Sequence, residues 1–100
     1  MDTYAISSVR GVIYEASDGS ISIRDAEYLD NRSGRWLPVS RANPTLSVTL
    51  PGSTIIAKEN RVINSDGLVK GDFVRVMTTE LIDPPEPGAT LFGIIVRVER

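Results

Sequence analysis

The chain has no cysteine and no histidine among its 100 residues. That removes disulfides, thiolate zinc sites and every Ser-His or Cys-His nucleophilic pair. Lysine is nearly absent as well. Only Lys58 and Lys70 occur, both at strand or turn ends beside polar neighbours; a solvated surface role is expected there rather than a catalytic amine paired with a serine. No stretch nears the roughly 20 apolar residues of a membrane-spanning helix. The start, Met1-Asp2-Thr3-Tyr4, has neither the basic nor the apolar region of a signal peptide. An exported chain would therefore carry its leader ahead of Met1. No charge excess exists: 11 basic and 13 acidic residues leave a net −2. A dedicated nucleic-acid binder carries a clear basic surplus, so this balance argues against one, although a local basic patch stays open. The lack of cysteine fits an exported protein and a cytosolic one equally.

What is present is a period of two. A chain of this length makes one domain, residues 1–100, with one modest core. Apolar residues alternate in successive segments, the mark of half-buried strands. The first strand is expected over 5–15, with Val9, Gly11 and Ile13 on one face and Val12 and Tyr14 on the other. Asp18-Gly19 then predicts a tight hairpin in which Gly19 takes a positive φ. The second strand turns Ile21 and Ile23 inward and extends toward Tyr28 and Leu29. Residues 31–44 form a polar connection, with Trp36-Leu37-Pro38-Val39 as a short edge strand. Leu46, Val48 and Leu50 alternate in a third strand that breaks at Pro51-Gly52 and resumes over 53–57.

The segment 58–67 is the one place for a helical turn, with Val62 and Ile63 covering a barrel end and Leu68 turned inward. A tight turn at Gly71-Asp72 opens a fourth strand over 73–81. Asp83-Pro84-Pro85-Glu86-Pro87-Gly88 is a stiff loop. The fifth strand covers 90–98, with Phe92, Ile94, Val96 and Val98 on one face. The expected core is Val9, Ile21, Ile23, Leu46, Val48, Val74, Val76, Ile94 and Val96.

Five strands with a helical turn between the third and fourth follow the order of an OB-like Greek-key barrel, which also protects its strand edges. A small SH3-like barrel or β-sandwich is the alternative. Val9-x-Gly11-x-Ile13, Gly19-x-Ile21-x-Ile23, Val48 with Ser53-Thr54-Ile55, Leu68-Val69-Lys70-Gly71-Asp72-x-Val74-x-Val76, and Ala89 leading to Ile94 and Val96 together span nearly the whole chain. In this pattern the chain resembles small OB-like barrel domains of unknown function in exported bacterial proteins, some of them beside S-layer homology modules. The resemblance implies the fold and an exported or cell-surface setting, and implies no catalytic residue.

Candidate chemistry is sparse. Asp25 with Glu27, and Glu15 with Asp18, are carboxylate pairs that acid–base work could use, but an ordinary solvated face also describes them. Asp18-Gly19-Ser20 and Asp66-Gly67 are explained as turns and do not match a calcium loop. Asn31-Arg32-Ser33 fits the glycosylation pattern, which arises often by chance. No cofactor and no metal are expected. The best contact candidate is Arg32, Arg35, Trp36 and Arg41, where three guanidiniums flank the single tryptophan. Trp36 is expected to cover a barrel end with its ring largely buried; a ligand platform is the other reading. The expectation is a non-enzymatic structural or interaction module whose partner is a protein or cell-surface component. The alternative is an oligonucleotide- or oligosaccharide-binding OB domain.

Overall fold

The computed structural model describes residues 7–78 and 88–99. Strands dominate it: β1 Ser7–Ser17, β2 Ser20–Asp30, β3 Arg35–Pro38, β4 Leu46–Thr49, β5 Ile55–Lys58, β6 Arg61–Ile63, β7 Phe73–Thr78, β8 Thr90–Phe92 and β9 Ile95–Val98. One 3-10 turn, Ser65–Gly67, lies between β6 and β7. The strands form one mixed sheet in the order β6-β5-β9-β7-β1-β2-β4-β8, with β3 beside β2. The order is open, ending on β6 and β8, so the protein is all-β without the closed five-strand ladder expected. No helix among the described residues is long and apolar enough to cross a membrane.

The alternation seen in the sequence places the core. Val9, Ile13, Ile21, Ile23, Leu46, Val48, Val74, Val76 and Val96 are all essentially inaccessible to solvent. Two irregularities in the β1–β2 register keep both long strands facing it. In β2 the extra residue is Asp25, held at φ 51. Past this bulge Ala26 and Tyr28 continue the inner face that Ile21 and Ile23 began. At Gly11 a side chain has no room, because a Cβ would lie 2.7 Å from the Arg24 carbonyl oxygen. The hairpin turn has Gly19 at φ 72, and Gly71 has φ 98.

The fifth strand departs from expectation. It divides at Gly93 into β8, parallel to β4, and β9, parallel to β5 and antiparallel to β7. The Gly93 N–H donates to the Thr49 carbonyl at 2.9 Å, and the next N–H, of Ile94, donates to Met77 at 2.9 Å. The chain thus changes neighbours within one residue, and the alternation slips. Leu91 and Val96 point inward, whereas Ile94 is 40% exposed. Ile94 is therefore not a core residue. The continuation of the fourth strand past 78 and most of the proline loop at 83–88 lie outside the described residues.

The segment 58–67 holds more than a helical turn. β5 and β6 make a hairpin whose turn residues, Glu59 and Asn60, both have positive φ, 52 and 64. Val62 is turned out and 77% exposed, so it covers no barrel end; Ile63 packs on the core edge. The 3-10 turn that follows brings Leu68 into the core. Lys58 is not a free surface amine. Its Nζ donates to Asp72 Oδ2 at 3.0 Å and to the Gly67 carbonyl at 3.1 Å, and the same Oδ2 accepts from the Val69 N–H at 3.1 Å. This clip ties the end of β5 to the turn that opens β7.

Glu59 has a side chain in a backbone region that suits glycine. Left-handed backbone costs an L-residue about 1–2 kcal/mol. Glu59→Gly is expected to raise stability by about 0.5–1 kcal/mol once the entropy of glycine in the unfolded chain is deducted. A urea midpoint for Glu59→Gly at or below that of the parent would contradict the strain.

Candidate functional site

Residues opposite one another on neighbouring strands point to the same side of a sheet. On the side away from the core, Arg75 of β7 lies opposite Arg10 of β1 and opposite Arg97 of β9. Arg10 also faces Glu27 of β2, and Glu27 faces Pro38 of β3. Beyond Arg97 the neighbour is Ala57 of β5. One row across the sheet therefore reads Ala57, Arg97, Arg75, Arg10, Glu27, Pro38. Neighbouring strands are about 4.8 Å apart, so three guanidinium stems rise side by side.

Trp36 lies on this face because it pairs with Leu29, two residues beyond Glu27 in β2. Its half-buried ring meets two cations: Arg10 Cζ is 4.2 Å from the ring centroid and Arg75 Cζ 5.4 Å. Arg10 is also paired with an acid, since its Nε donates to Glu27 Oε1 at 2.8 Å. Arg75 has no acid. Its Nε is buried and makes no hydrogen bond, and neither Arg75 nor Arg97 joins an ion pair among the described residues. A buried donor without an acceptor costs about 1–3 kcal/mol, and like charges directly opposite in a sheet destabilise it. The row therefore carries charge that the sheet itself does not neutralise.

Beside the row, Val12, Asp25, Ala26, Glu27, Pro38, Ser40, Arg41, Pro44 and Phe73 line an open groove of about 620 Å³. Arg41 is exposed on its wall. The other two arginines singled out in the sequence lie elsewhere. Arg32 is exposed in the 31–34 turn, where its backbone N–H donates to Asp30 Oδ1 at 3.2 Å. Arg35 is exposed opposite Asp30, and as the neighbour of Trp36 in β3 it points to the other side of the strand. Trp36 is thus brought together with Arg10 and Arg75 rather than with Arg32 and Arg35. Nor does it cover a barrel end: its position is on the outer face of the sheet.

The Asp30 carboxyl is held below its ordinary range, chiefly by the Ser33 hydroxyl, then by the Arg32 N–H and the Arg32 charge, against a small opposing effect of burial. It closes the turn after β2 and does not reach the arginine row. The carboxylates considered for acid–base work have their own partners or lie at a turn. Asp25 pairs with Arg24 at 2.6 Å and Glu27 with Arg10; Glu15 and Asp18 are exposed near the first hairpin turn. Among the described residues no group of three or more Asp or Glu side chains gathers to hold a metal.

Arg10, Arg75 and Arg97 were legible as a pattern. Each follows a valine in an alternating strand, as Val9-Arg10, Val74-Arg75 and Val96-Arg97. A charge repeated at the outward position of separate strands points to one shared face, and the spacing within a single segment does not show it.

Because Trp36 is half-buried, Trp36→Ala is expected to cost about 2 kcal/mol. That is below the roughly 3–5 kcal/mol for deleting a fully buried large aromatic. Urea denaturation followed by circular dichroism measures it. A loss of 4 kcal/mol or more, on the order of full burial, would contradict the placement.

Compared with known proteins, the chain matches no family model, no curated protein and no solved structure at a significant level.

Proposed function

We propose that this chain is a non-enzymatic interaction module whose contact surface is the outer face around Trp36, Arg75 and Arg97. The observation that carries this reading is the partly buried tryptophan held by two guanidiniums, beside Arg75 and Arg97, which have no acid among the described residues. Arginine and tryptophan are the residues that most often dominate binding energy at protein interfaces. The chain lacks histidine and cysteine, and Lys58 is bound to Asp72.

The architecture proposed with it is an OB-like barrel. Support comes from the pairings of β1 with β2, β2 with β4, β4 with β8, β9 with β7 and β7 with β1. β8 and β9 adjoin at Gly93, so one length of chain lies beside both β4 and β7. The proposed setting is an exported bacterial protein, its partner a protein or cell-surface component; the likeness in strand and turn pattern supports this setting.

The test is capture of partners from bacterial envelope and cytosolic fractions by the immobilised chain. The parent is expected to retain an envelope component that the Trp36→Ala chain loses. Equal retention by both would overturn the reading. Binding to nucleic acid is expected to be weak. A titration of a fluorescent single-stranded oligothymidylate at low salt should give a Kd above about 1 µM. A tighter, steeply salt-dependent complex would favour an oligonucleotide-binding domain instead.

A further inference from the structure

We infer that the partner segment recognised by this face is an acidic stretch of protein chain flanked by apolar residues, with one carboxylate seated between Arg75 and Arg97. This rests on the proposed reading of the outer face as a contact surface. Arg10 already has Glu27 at 2.8 Å. Arg75 and Arg97 lie opposite one another in register and have no acid among the described residues, and Arg97 is exposed. One carboxylate accepts hydrogen bonds from two guanidiniums at once, and such charge-assisted bonds are the strong ones.

The width of the unmatched charge selects the occupant. Past Arg97 the row runs to Ala57 and Val62, and past Arg10 to Glu27 and Pro38, with Asp25 and Arg41 in the adjoining groove. A polyphosphate strand tracks a continuous cationic groove; here the unpaired cations are only two strands wide, bounded by Ala57 on one side and by the Arg10–Glu27 pair on the other. A single carboxylate fits that width. Along the strands, the next outward pairs on either side of the arginines are Val12 with Phe73 and Met77 with Ile95. Apolar side chains beside the acid would find cover there. Arginine, tryptophan, methionine and phenylalanine are the types enriched at protein–protein contacts.

The experiment is selection of a phage-displayed library of random dodecapeptides on the full chain, with counter-selection on the Arg97→Glu variant. Enriched peptides are expected to carry Asp or Glu next to apolar residues. In the best of them, acid-to-amide exchange should weaken binding about tenfold or more. Arg97→Glu should lose binding while its melting midpoint rises by a few degrees, because an opposite-charge pair replaces a like-charge one. Enrichment without acids, equal binding of acid and amide peptides, or a lowered midpoint for Arg97→Glu would each overturn the inference. So would an oligothymidylate that binds more tightly than the selected peptide. Envelope capture lost on Trp36→Ala, with no acidic peptide selected, would remove this inference and leave the interaction module standing.

Discussion

Val76→Asp is expected to give a chain that no longer folds cooperatively. Val76 is wholly inaccessible and lies between Val9 of β1 and Val96 of β9. A carboxylate there would have apolar neighbours on both adjoining strands. Desolvating a lone charge costs at least several kcal/mol, and a domain of this size has only about 5–15 kcal/mol in total. The next residue supplies the control. Met77 points to the outer face opposite Ile95 and Ser8, so Met77→Asp should still fold. Thermal melts followed by circular dichroism and Trp36 fluorescence compare the two. A cooperative transition for Val76→Asp at the parent's midpoint would sink the facing of β7.

The second large effect is expected from Asp72→Ala, at about 3 kcal/mol. The side chains of Lys58 and Asp72 are 24% and 12% exposed. Removing the acid leaves the Lys58 ammonium with only the Gly67 carbonyl, and takes the acceptor from the Val69 N–H. Breaking a buried pair costs about 3–5 kcal/mol, and the residual exposure puts this one at the lower end. Asp72→Asn should cost less, since the amide oxygen still accepts from Val69. Replacing both partners, as Lys58→Met with Asp72→Leu, should recover most of the loss, because no stranded charge remains. Urea midpoints across the series measure this. An Ala variant as stable as the parent would mean that the clip contributes nothing.

The proposed contact surface is less legible in the sequence than the core. Arg32, Arg35 and Arg41 drew attention because they flank Trp36 in sequence. A β-strand sends neighbours to opposite sides, so closeness in sequence separated Arg35 from Trp36. The partners that meet the indole come from β1 and β7, across β2 from it. The hairpin at Glu59-Asn60 was hidden for another reason. Its left-handed residues are not glycine, so the usual turn signal is missing.

Most of the strands, and the inward face of each, were legible in the sequence. Val9, Ile21, Ile23, Leu46, Val48, Val74, Val76 and Val96 are buried as their alternation requires, because period two is a local property of extended backbone. Glycine at 19 and 71 likewise marked its own turns. Which strands are neighbours follows from the assembled sheet alone. The sheet set Arg10, Arg75 and Arg97 in one row and moved the chain from β4 to β7 at Gly93, which turned Ile94 outward. Register between strands depends on pairing with distant segments and on bulges such as that at Asp25. No single segment contains that information, so the face on which the proposed function rests exists only once the sheet is assembled.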